Sequence, residues 1–204
     1  MDTLKYFFDI EIAHSRDGIF LSQQSYCIHL LDDVGFLGCK PTSTPFASKT
    51  HLHLDSSDPY EDPPGYLHLV GRLLYLTMTC PNVCFSTQQL SQFMAAPNVF
   101  HHQAAIRLLR YLKGCLGRGL LYPRIFDMHP GGFNNANWAT CLYTRRSITG
   151  YCFFWGSSLI CWRTKKQTTV SRSFSEAEYR ALATATCELQ WLFYLFRDLH
   201  VTTD

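Results

Sequence analysis

The sequence predicts an α+β fold in which an N-terminal β-hairpin and several helices precede a β-β-β-α unit. Three patterns support this prediction. Apolar and polar residues alternate over 6–22, apolar residues recur at helical spacing over 66–113, and period-two segments after Pro123 precede one long amphipathic stretch. The chain has 204 residues, 47% of them hydrophobic and 15% aromatic, which is enough for one core or two small ones.

Residues 1–45 are predicted to form a hairpin followed by a helix. Tyr6–Ala13 and Ile19–Ser22 have the alternation of strands, and an Asp-Gly turn separates them. An apolar stripe at helical spacing begins after the second strand. This stripe predicts a helix that ends at Gly35 or Gly38, because glycine commonly terminates helices.

The middle of the chain divides into a linker and a helical region. Residues 46–65 are rich in proline, serine, threonine and aspartate, which predicts an extended linker. Residues 66–122 are predicted to be a helical connection, because apolar stripes recur there at helical spacing. The predicted helices are Tyr66–Thr79, one from Pro81 to about Ala95, and His101–Lys113.

Residues 123–204 are predicted to form a separate unit of three strands and one long helix. Ser173 is the expected N-cap, with Glu176 three residues later to complete a capping box. The predicted strands are Gly131–Ala139, Ile148–Phe154 and Leu159–Arg163, with a further β-prone stretch at Thr168–Val170. The helix runs from Ser175 to about Leu199, and its expected buried side is Tyr179, Leu182, Ala183, Leu189, Leu192 and Phe196.

Positive charge is concentrated in this last unit. The formal net charge is only +2, but seven basic residues and two acids lie between Thr144 and Arg180. Such an excess is compatible with a solvated face or with a surface that attracts phosphates. The candidate nucleic-acid-binding residues are Arg145, Arg146, Lys165, Lys166 and Arg172.

Cysteine spacing and hydropathy indicate the class of protein. The nine cysteines contain no CxxC pair, and no His or Cys pair completes a zinc pattern with Cys80 and Cys84. No apolar run reaches the length of a membrane span, and the N-terminus lacks the pattern of a secretory signal. We therefore expect an intracellular protein, cytoplasmic or nuclear and not secreted, with reduced thiols, no membrane partner and no small-molecule substrate.

A series of short blocks, in order along nearly the whole chain, resembles Ty1/copia-type LTR retrotransposon Pol polyproteins. Two blocks look like the late reverse transcriptase region: Gly38-Cys39-Lys40-Pro41-Thr42-Ser43-Thr44-Pro45 and Leu109-Arg110-Tyr111-Leu112-Lys113-Gly114. Two further blocks look like the start of RNase H: Thr149-Gly150-Tyr151-Cys152 and Glu176-Ala177-Glu178-Tyr179-Arg180-Ala181. The resemblance implies a reverse transcriptase thumb- or connection-like region followed by a truncated RNase H-like β-β-β-α unit.

The resemblance also implies that polymerase chemistry is absent from this chain. The family's polymerase aspartates lie upstream of the matching region, and no YxDD signature occurs in the sequence. The N-terminal hairpin would then help to hold primer and template. Phe8-Asp9 stands where the family usually has Leu-Gly, which places a negative charge where a primer phosphate would approach.

For RNase H, the resemblance implies a two-metal site with an altered carboxylate set. The family has a Ser-Asp-Ala-Asp-Trp-Ala block where this chain has Asn134-Asn135-Ala136-Asn137-Trp138-Ala139. The resemblance thus puts Asn135 at the position of the first catalytic aspartate. Glu178 matches the helix carboxylate, with Glu176 as the alternative, and the third carboxylate is expected beyond Asp204. Asparagine is neutral and Mg²⁺ prefers charged oxygen ligands, so we expect no functional metal and no cofactor, although the family uses Mg²⁺.

Three functional hypotheses follow from these observations. The first is a retrotransposon-derived Pol piece that is catalytically inactive alone. The second is a residual module that binds RNA–DNA hybrid or duplex nucleic acid through its basic residues. The third is an RNase H that is completed by another chain supplying the missing aspartate.

Overall fold

A computed structural model of the chain describes residues 4–47, 52, 57–125 and 129–201. The chain divides into two compact units, Met1–Arg124 and Ile125–Asp204, and both combine helices with an antiparallel sheet. The strands are β1 (Tyr6–Phe7), β2 (Ile10–His14), β3 (Gly18–Ser22), β4 (Gly119–Pro123), β5 (Pro130–Asn137), β6 (Ile148–Trp155) and β7 (Ser158–Lys166). The helices are α1 (Gln24–Asp33), α2 (Pro63–Leu76), α3 (Cys84–Ser91), α4 (Val99–Lys113) and α5 (Phe174–Asp198), with a 3₁₀ turn at Pro81–Val83.

The N-terminal sheet has the strand order β1-β2-β3-β4. The single strand expected over Tyr6–Ala13 is wrong, because the chain reverses at Phe8 and Asp9, which have φ angles of 45° and 55°. β4 pairs with β3 along its whole length. The expectation that residues up to 122 belong to a helical connection is therefore wrong for this strand, since a four-residue apolar run does not reveal its period.

The helices of the N-terminal unit surround one apolar core. Tyr66 is fully buried there, and its hydroxyl donates a 2.9 Å hydrogen bond to the Leu90 carbonyl. The helix expected from Tyr66 begins earlier, at Pro63, because the Asp62 side chain caps it by accepting the Gly65 N–H at 2.9 Å. The core is built around Leu30, Leu31, Leu73, Leu90, Leu108 and Leu109.

The segment predicted as a linker is attached to this unit at its described end. Pro59 forms an isolated bridge with Asn98, and the Tyr60 N–H donates to the Pro97 carbonyl at 3.0 Å. Leu52 is buried, and its carbonyl lies 3.1 Å from Nε2 of His101. The described parts of residues 46–65 thus pack with the helices and do not form a free spacer.

The C-terminal unit is a three-stranded sheet, ordered β5-β6-β7, with α5 packed on it. The predicted order of three strands and a helix is confirmed, and the turn between β6 and β7 contains Gly156 with a φ of 57°. Thr168–Val170, expected to be β-prone, lies outside the sheet. The assignment of this unit to an RNase H-like fold stays a prediction.

Helix α5 buries only part of the expected side. The Ser173 cap is confirmed, since its side chain accepts the Glu176 N–H at 3.1 Å. Glu176 accepts the N–H of Arg172 at 2.8 Å, so the expected capping box is not formed. Tyr179 and Leu182, expected to be buried, are 73% and 49% exposed. Leu192 is buried as expected, and Leu189 packs against the same cluster. The other buried residues are Ala177, Ala181 and Ala185, because small side chains let the helix approach the sheet closely.

Among the described residues, no helix combines the length and the apolar character needed to cross a membrane.

Candidate functional site

Glu178 is held against the edge strand of the C-terminal sheet. The backbone N–H of Ala136 in β5 lies 3.2 Å from both carboxylate oxygens of Glu178. Ala136 is 1% exposed and packs with Ala177 and Ala181 under the first turns of α5. The carboxylate therefore satisfies a buried strand donor and is not simply a solvated helix residue.

Asn135 lies beside this contact on the opposite face of the strand. Successive side chains of a strand point to opposite faces, and Ala136 faces the helix. Asn135 and Asn137 therefore project from the other face, where both are exposed. The structure brings Glu178 to the backbone of the strand that carries Asn135, but it places the two asparagines on the side of the sheet that faces away from α5.

These residues do not fit the two Mg²⁺ ions that the resemblance implies. Two closely spaced magnesium ions need several negatively charged oxygen ligands. Asn135 and Asn137 offer neutral amides, and the Glu178 oxygens already accept a backbone hydrogen bond. Within the described part of the chain, no group of three or more His, Cys, Asp or Glu residues is arranged to hold a metal.

The five predicted nucleic-acid-binding residues converge at one end of the C-terminal sheet. Strand pairing places the end of β5 beside the start of β6, and the start of β6 beside the end of β7. This arrangement puts the β5–β6 loop with Arg145 and Arg146 near Lys165 and Lys166. Nε1 of Trp138, just after β5, donates to the Ser171 carbonyl at 3.0 Å, which brings the residue before Arg172 to the same end.

The β5–β6 loop is fixed by a tight turn around Cys141. The Arg145 N–H donates to the Cys141 carbonyl at 2.6 Å, and Arg145 has a φ of 53°. Nζ of Lys166 lies 3.7 Å from the Cys141 sulfur. Burial raises the pKa of the Cys141 thiol, but hydrogen bonds from Thr144 and the charge of Lys166 outweigh burial and lower it overall. Lys166 is thus engaged by the protein, whereas Lys165 is exposed.

Gln167 organises this end of the unit and was not anticipated from the sequence. Its Nε2 donates to the Thr149 hydroxyl at 3.1 Å and to the Ala177 carbonyl at 3.0 Å. Its Oε1 accepts the Ser171 hydroxyl at 3.0 Å. One amide side chain therefore connects β6, α5 and the loop between β7 and α5. A glutamine after a strand gives no sequence signal for such a role.

Arg180, which belongs to the basic run but was not among the five predicted residues, is bound to a neighbouring acid. Its Nε and Nη2 donate to Oε1 of Glu176 at 3.0 and 2.8 Å. Donation by the Arg172 N–H and then by Arg180 lowers the pKa of the Glu176 carboxyl. Glu176 thus accepts hydrogen bonds at the helix start and from Arg180, whereas Glu178 accepts from the β5 backbone.

Comparison with known proteins finds relatives that share most of this chain's length. The chain is 40% identical over 186 residues to the uncharacterized mitochondrial protein AtMg00810 of Arabidopsis thaliana, an alignment that covers 91% of this chain and 77% of that protein. It is 36% identical over 200 residues to the retrovirus-related Pol polyprotein from transposon RE1 of the same plant, and 30% identical over 188 residues to that from transposon TNT 1-94 of Nicotiana tabacum. These two alignments cover 98% and 89% of this chain.

The chain belongs to the copia-type retrotransposon Pol family. The resemblance predicted from the sequence blocks is thereby confirmed. The chain spans 14% of the length of each of the two Pol polyproteins. No family model matches the chain, and no solved structure matches it significantly.

Proposed function

We propose that this copia-type chain corresponds to the reverse transcriptase/RNase H region of Pol and does not hydrolyse RNA–DNA hybrids by itself. The observation that carries the proposal is the contact between Glu178 and β5. The Glu178 carboxylate is bound to the Ala136 N–H, and the residues on either side of Ala136 are Asn135 and Asn137, whose amides are neutral. Such a donor set is too weakly charged to assemble two divalent cations.

The test is a cleavage assay of the whole chain on an RNA–DNA hybrid with Mg²⁺ or Mn²⁺. We expect no cleavage above the background without protein. Three variants accompany it: Glu178→Ala, Asn135→Asp, and Glu188→Ala as a matched loss of a glutamate ten residues later in α5. Cleavage by the unaltered chain that survives in Glu188→Ala and disappears in Glu178→Ala would overturn the proposal.

Completion by another chain is less compatible with these residues. A partner could supply the third carboxylate, but it would leave a neutral amide at Asn135. If Asn135→Asp creates cleavage only when a protein that carries a further aspartate is added, the region assignment is supported, and the neutral amide of Asn135 is identified as the reason for the inactivity. If the unaltered chain cleaves the hybrid in the same mixture but not alone, completion by another chain is supported, and the neutral amide at Asn135 does not prevent cleavage.

We propose nucleic-acid binding as a second candidate function, because the cationic residues converge at one end of the sheet. Arg145, Arg172 and Lys165 are exposed, and Arg146 and Lys166 are partly buried. The partner would be RNA–DNA hybrid or duplex, held mainly through its phosphates and without sequence preference. No membrane partner and no small-molecule substrate is proposed.

Salt-dependent binding to a labelled hybrid tests this second function. We expect binding at low salt that weakens steeply as salt rises, because released counterions drive the association. The double variant Lys165→Glu/Lys166→Glu should abolish it. Lys5→Glu/Lys40→Glu, which changes the net charge equally in the N-terminal unit, should have little effect. Equal losses in both double variants would show a net-charge effect and refute a localised interface.

A further inference from the structure

A cleft of about 310 Å³ opens between the end of β7, the loop that follows it and one face of α5. Its volume is at the lower end of the range of small-ligand sites. Three cationic residues line it: Lys165, Lys166 and Arg180. Among the described residues, no aspartate or glutamate is part of the lining. The cleft therefore concentrates positive charge in a concave space, where the field is stronger than on a convex surface.

The three cationic residues differ in how far other protein groups already bind their charged ends. Nζ of Lys166 lies 3.7 Å from the Cys141 sulfur, and the Nε/Nη2 edge of Arg180 is taken by Glu176. Nη1 of Arg180 takes no part in that ion pair. No carboxylate of the described residues lies within ion-pair distance of Lys165. One full charge and part of a guanidinium are therefore available to an incoming anion.

Neutral donors complete the lining. Thr168 and Thr169 are exposed in the loop after β7, and both line the cleft. Within the part of the chain that the structure describes, their backbone N–H groups and hydroxyls donate to no protein acceptor. The hydrogen bonds of Gln167 to Thr149 and Ala177 fix the start of this loop against β6 and α5. The start of the loop that carries these donors is thus held by hydrogen bonds on one side.

We propose that this cleft binds one phosphoryl group. Lys165 and Arg180 would contact two of its oxygens, and the N–H or hydroxyl groups of Thr168 and Thr169 would donate to a third. Charge-assisted hydrogen bonds of this kind are the strong ones, and successive backbone N–H groups form anion-binding concavities. The proposal deepens the second candidate function and rests on it for the source of the phosphoryl group, which is a nucleic-acid phosphate or free phosphate.

Titration of the whole chain with inorganic phosphate, followed by the amide NMR signals of Thr168 and Thr169, tests the site. We expect shifts that saturate. Lys165→Gln should weaken the affinity about tenfold, the effect of losing one charge-assisted hydrogen bond. Arg180→Gln should weaken it as well, and Lys5→Gln in the N-terminal unit should leave it unchanged. Shifts that rise without saturation, or an affinity unaltered in both Lys165→Gln and Arg180→Gln, would overturn the proposal.

Short single-stranded DNA with and without a 5′-phosphate distinguishes the sources. Tighter binding of the phosphorylated strand assigns the site to a terminal phosphate, and equal binding that inorganic phosphate competes away assigns it to backbone phosphates. Perturbation by inorganic phosphate alone assigns it to the free ion.

The two proposals fail in different ways. Saturable phosphate binding without any hybrid binding removes the nucleic-acid function and keeps the cleft. Hybrid binding that depends on Lys165 and Lys166, with no phosphate response at Thr168 and Thr169, removes the cleft and keeps the interface.

Discussion

Replacing Glu178 by alanine removes the acceptor of the Ala136 N–H and with it the hydrogen bond between α5 and β5. Ala136 is 1% exposed, so water does not reach its N–H while the unit stays folded. A buried donor left without a partner costs about 1–3 kcal/mol. We therefore expect Glu178→Ala to lower the free energy of unfolding of the C-terminal unit by roughly this amount.

Glu178→Gln provides the matched comparison. Its amide oxygen keeps one acceptor for the Ala136 N–H but removes the negative charge. Hydrogen bonds to a charged partner contribute about 1.5–3 kcal/mol and neutral ones about 0.5–1.5 kcal/mol. The glutamine variant should consequently lie between the unaltered chain and Glu178→Ala.

Tryptophan fluorescence is the appropriate assay, because all four tryptophans (Trp138, Trp155, Trp162 and Trp191) belong to the C-terminal unit. In a domain of this size, 1 kcal/mol corresponds to a shift of about 4–8 °C in Tm. Glu178→Ala should therefore reduce the Tm by at least about 4 °C. Glu61→Ala, an exposed glutamate of the N-terminal unit, is the control. If Glu178→Ala melts together with the control, Glu178 is a solvated residue and the reasoning fails.

Three further predictions concern other contacts. Asp9→Gly should raise the free energy of unfolding, measured by chemical denaturation, by roughly 0.5–1 kcal/mol. The reason is that glycine adopts a φ of 55° without strain, and this gain outweighs the loss of the Tyr6–Asp9 hydrogen bond. A less stable variant would contradict this. Gln167→Leu should lower the free energy of unfolding by roughly 3 kcal/mol, about 1 kcal/mol for each of its three hydrogen bonds. Denaturation monitored by tryptophan fluorescence measures this, and an unchanged midpoint would show that the network is dispensable. Because the pKa of Glu176 is lowered on folding, its stabilising effect is present above its ordinary pKa of 4.5 and lost as pH falls through the folded value. Glu176→Gln should therefore be less stable than the unaltered chain at neutral pH and equal to it in acid, and a difference that persists in acid would contradict the ionic explanation.

The sequence predicted the elements that have long and regular patterns. The helices α2, α4 and α5 and the strands β5, β6 and β7 were each expected near their observed positions. Among the shorter elements, β3 and α1 were expected, but others were missed, because two to five apolar residues are compatible with either period. β4 is such a case, and so is the reversal at Phe8 and Asp9, where neither residue is a glycine.

The candidate site was predictable in composition but not in geometry. The basic run and the asparagines at 135 and 137 are visible in the sequence. The role of Gln167 is not visible, because its three partners are 4, 10 and 18 residues away in sequence. The buried side of α5 was predicted only in its second half, where Leu192 is buried as expected. In the first half, Tyr179 and Leu182 are exposed, and close packing on the sheet buries Ala177, Ala181 and Ala185 instead.

The sequence by itself determined the copia-type family, the neutral amides at Asn135 and Asn137, and the local excess of positive charge, because these are properties of residue identity and order. Only the tertiary structure decided that Glu178 binds the β5 backbone, that the asparagines face away from α5, and that Lys165 and Arg180 share a cleft with Thr168 and Thr169. The physical reason is strand pairing and helix packing. They bring together groups that are distant along the chain, and they determine which polar atoms are already satisfied and which are available to a ligand.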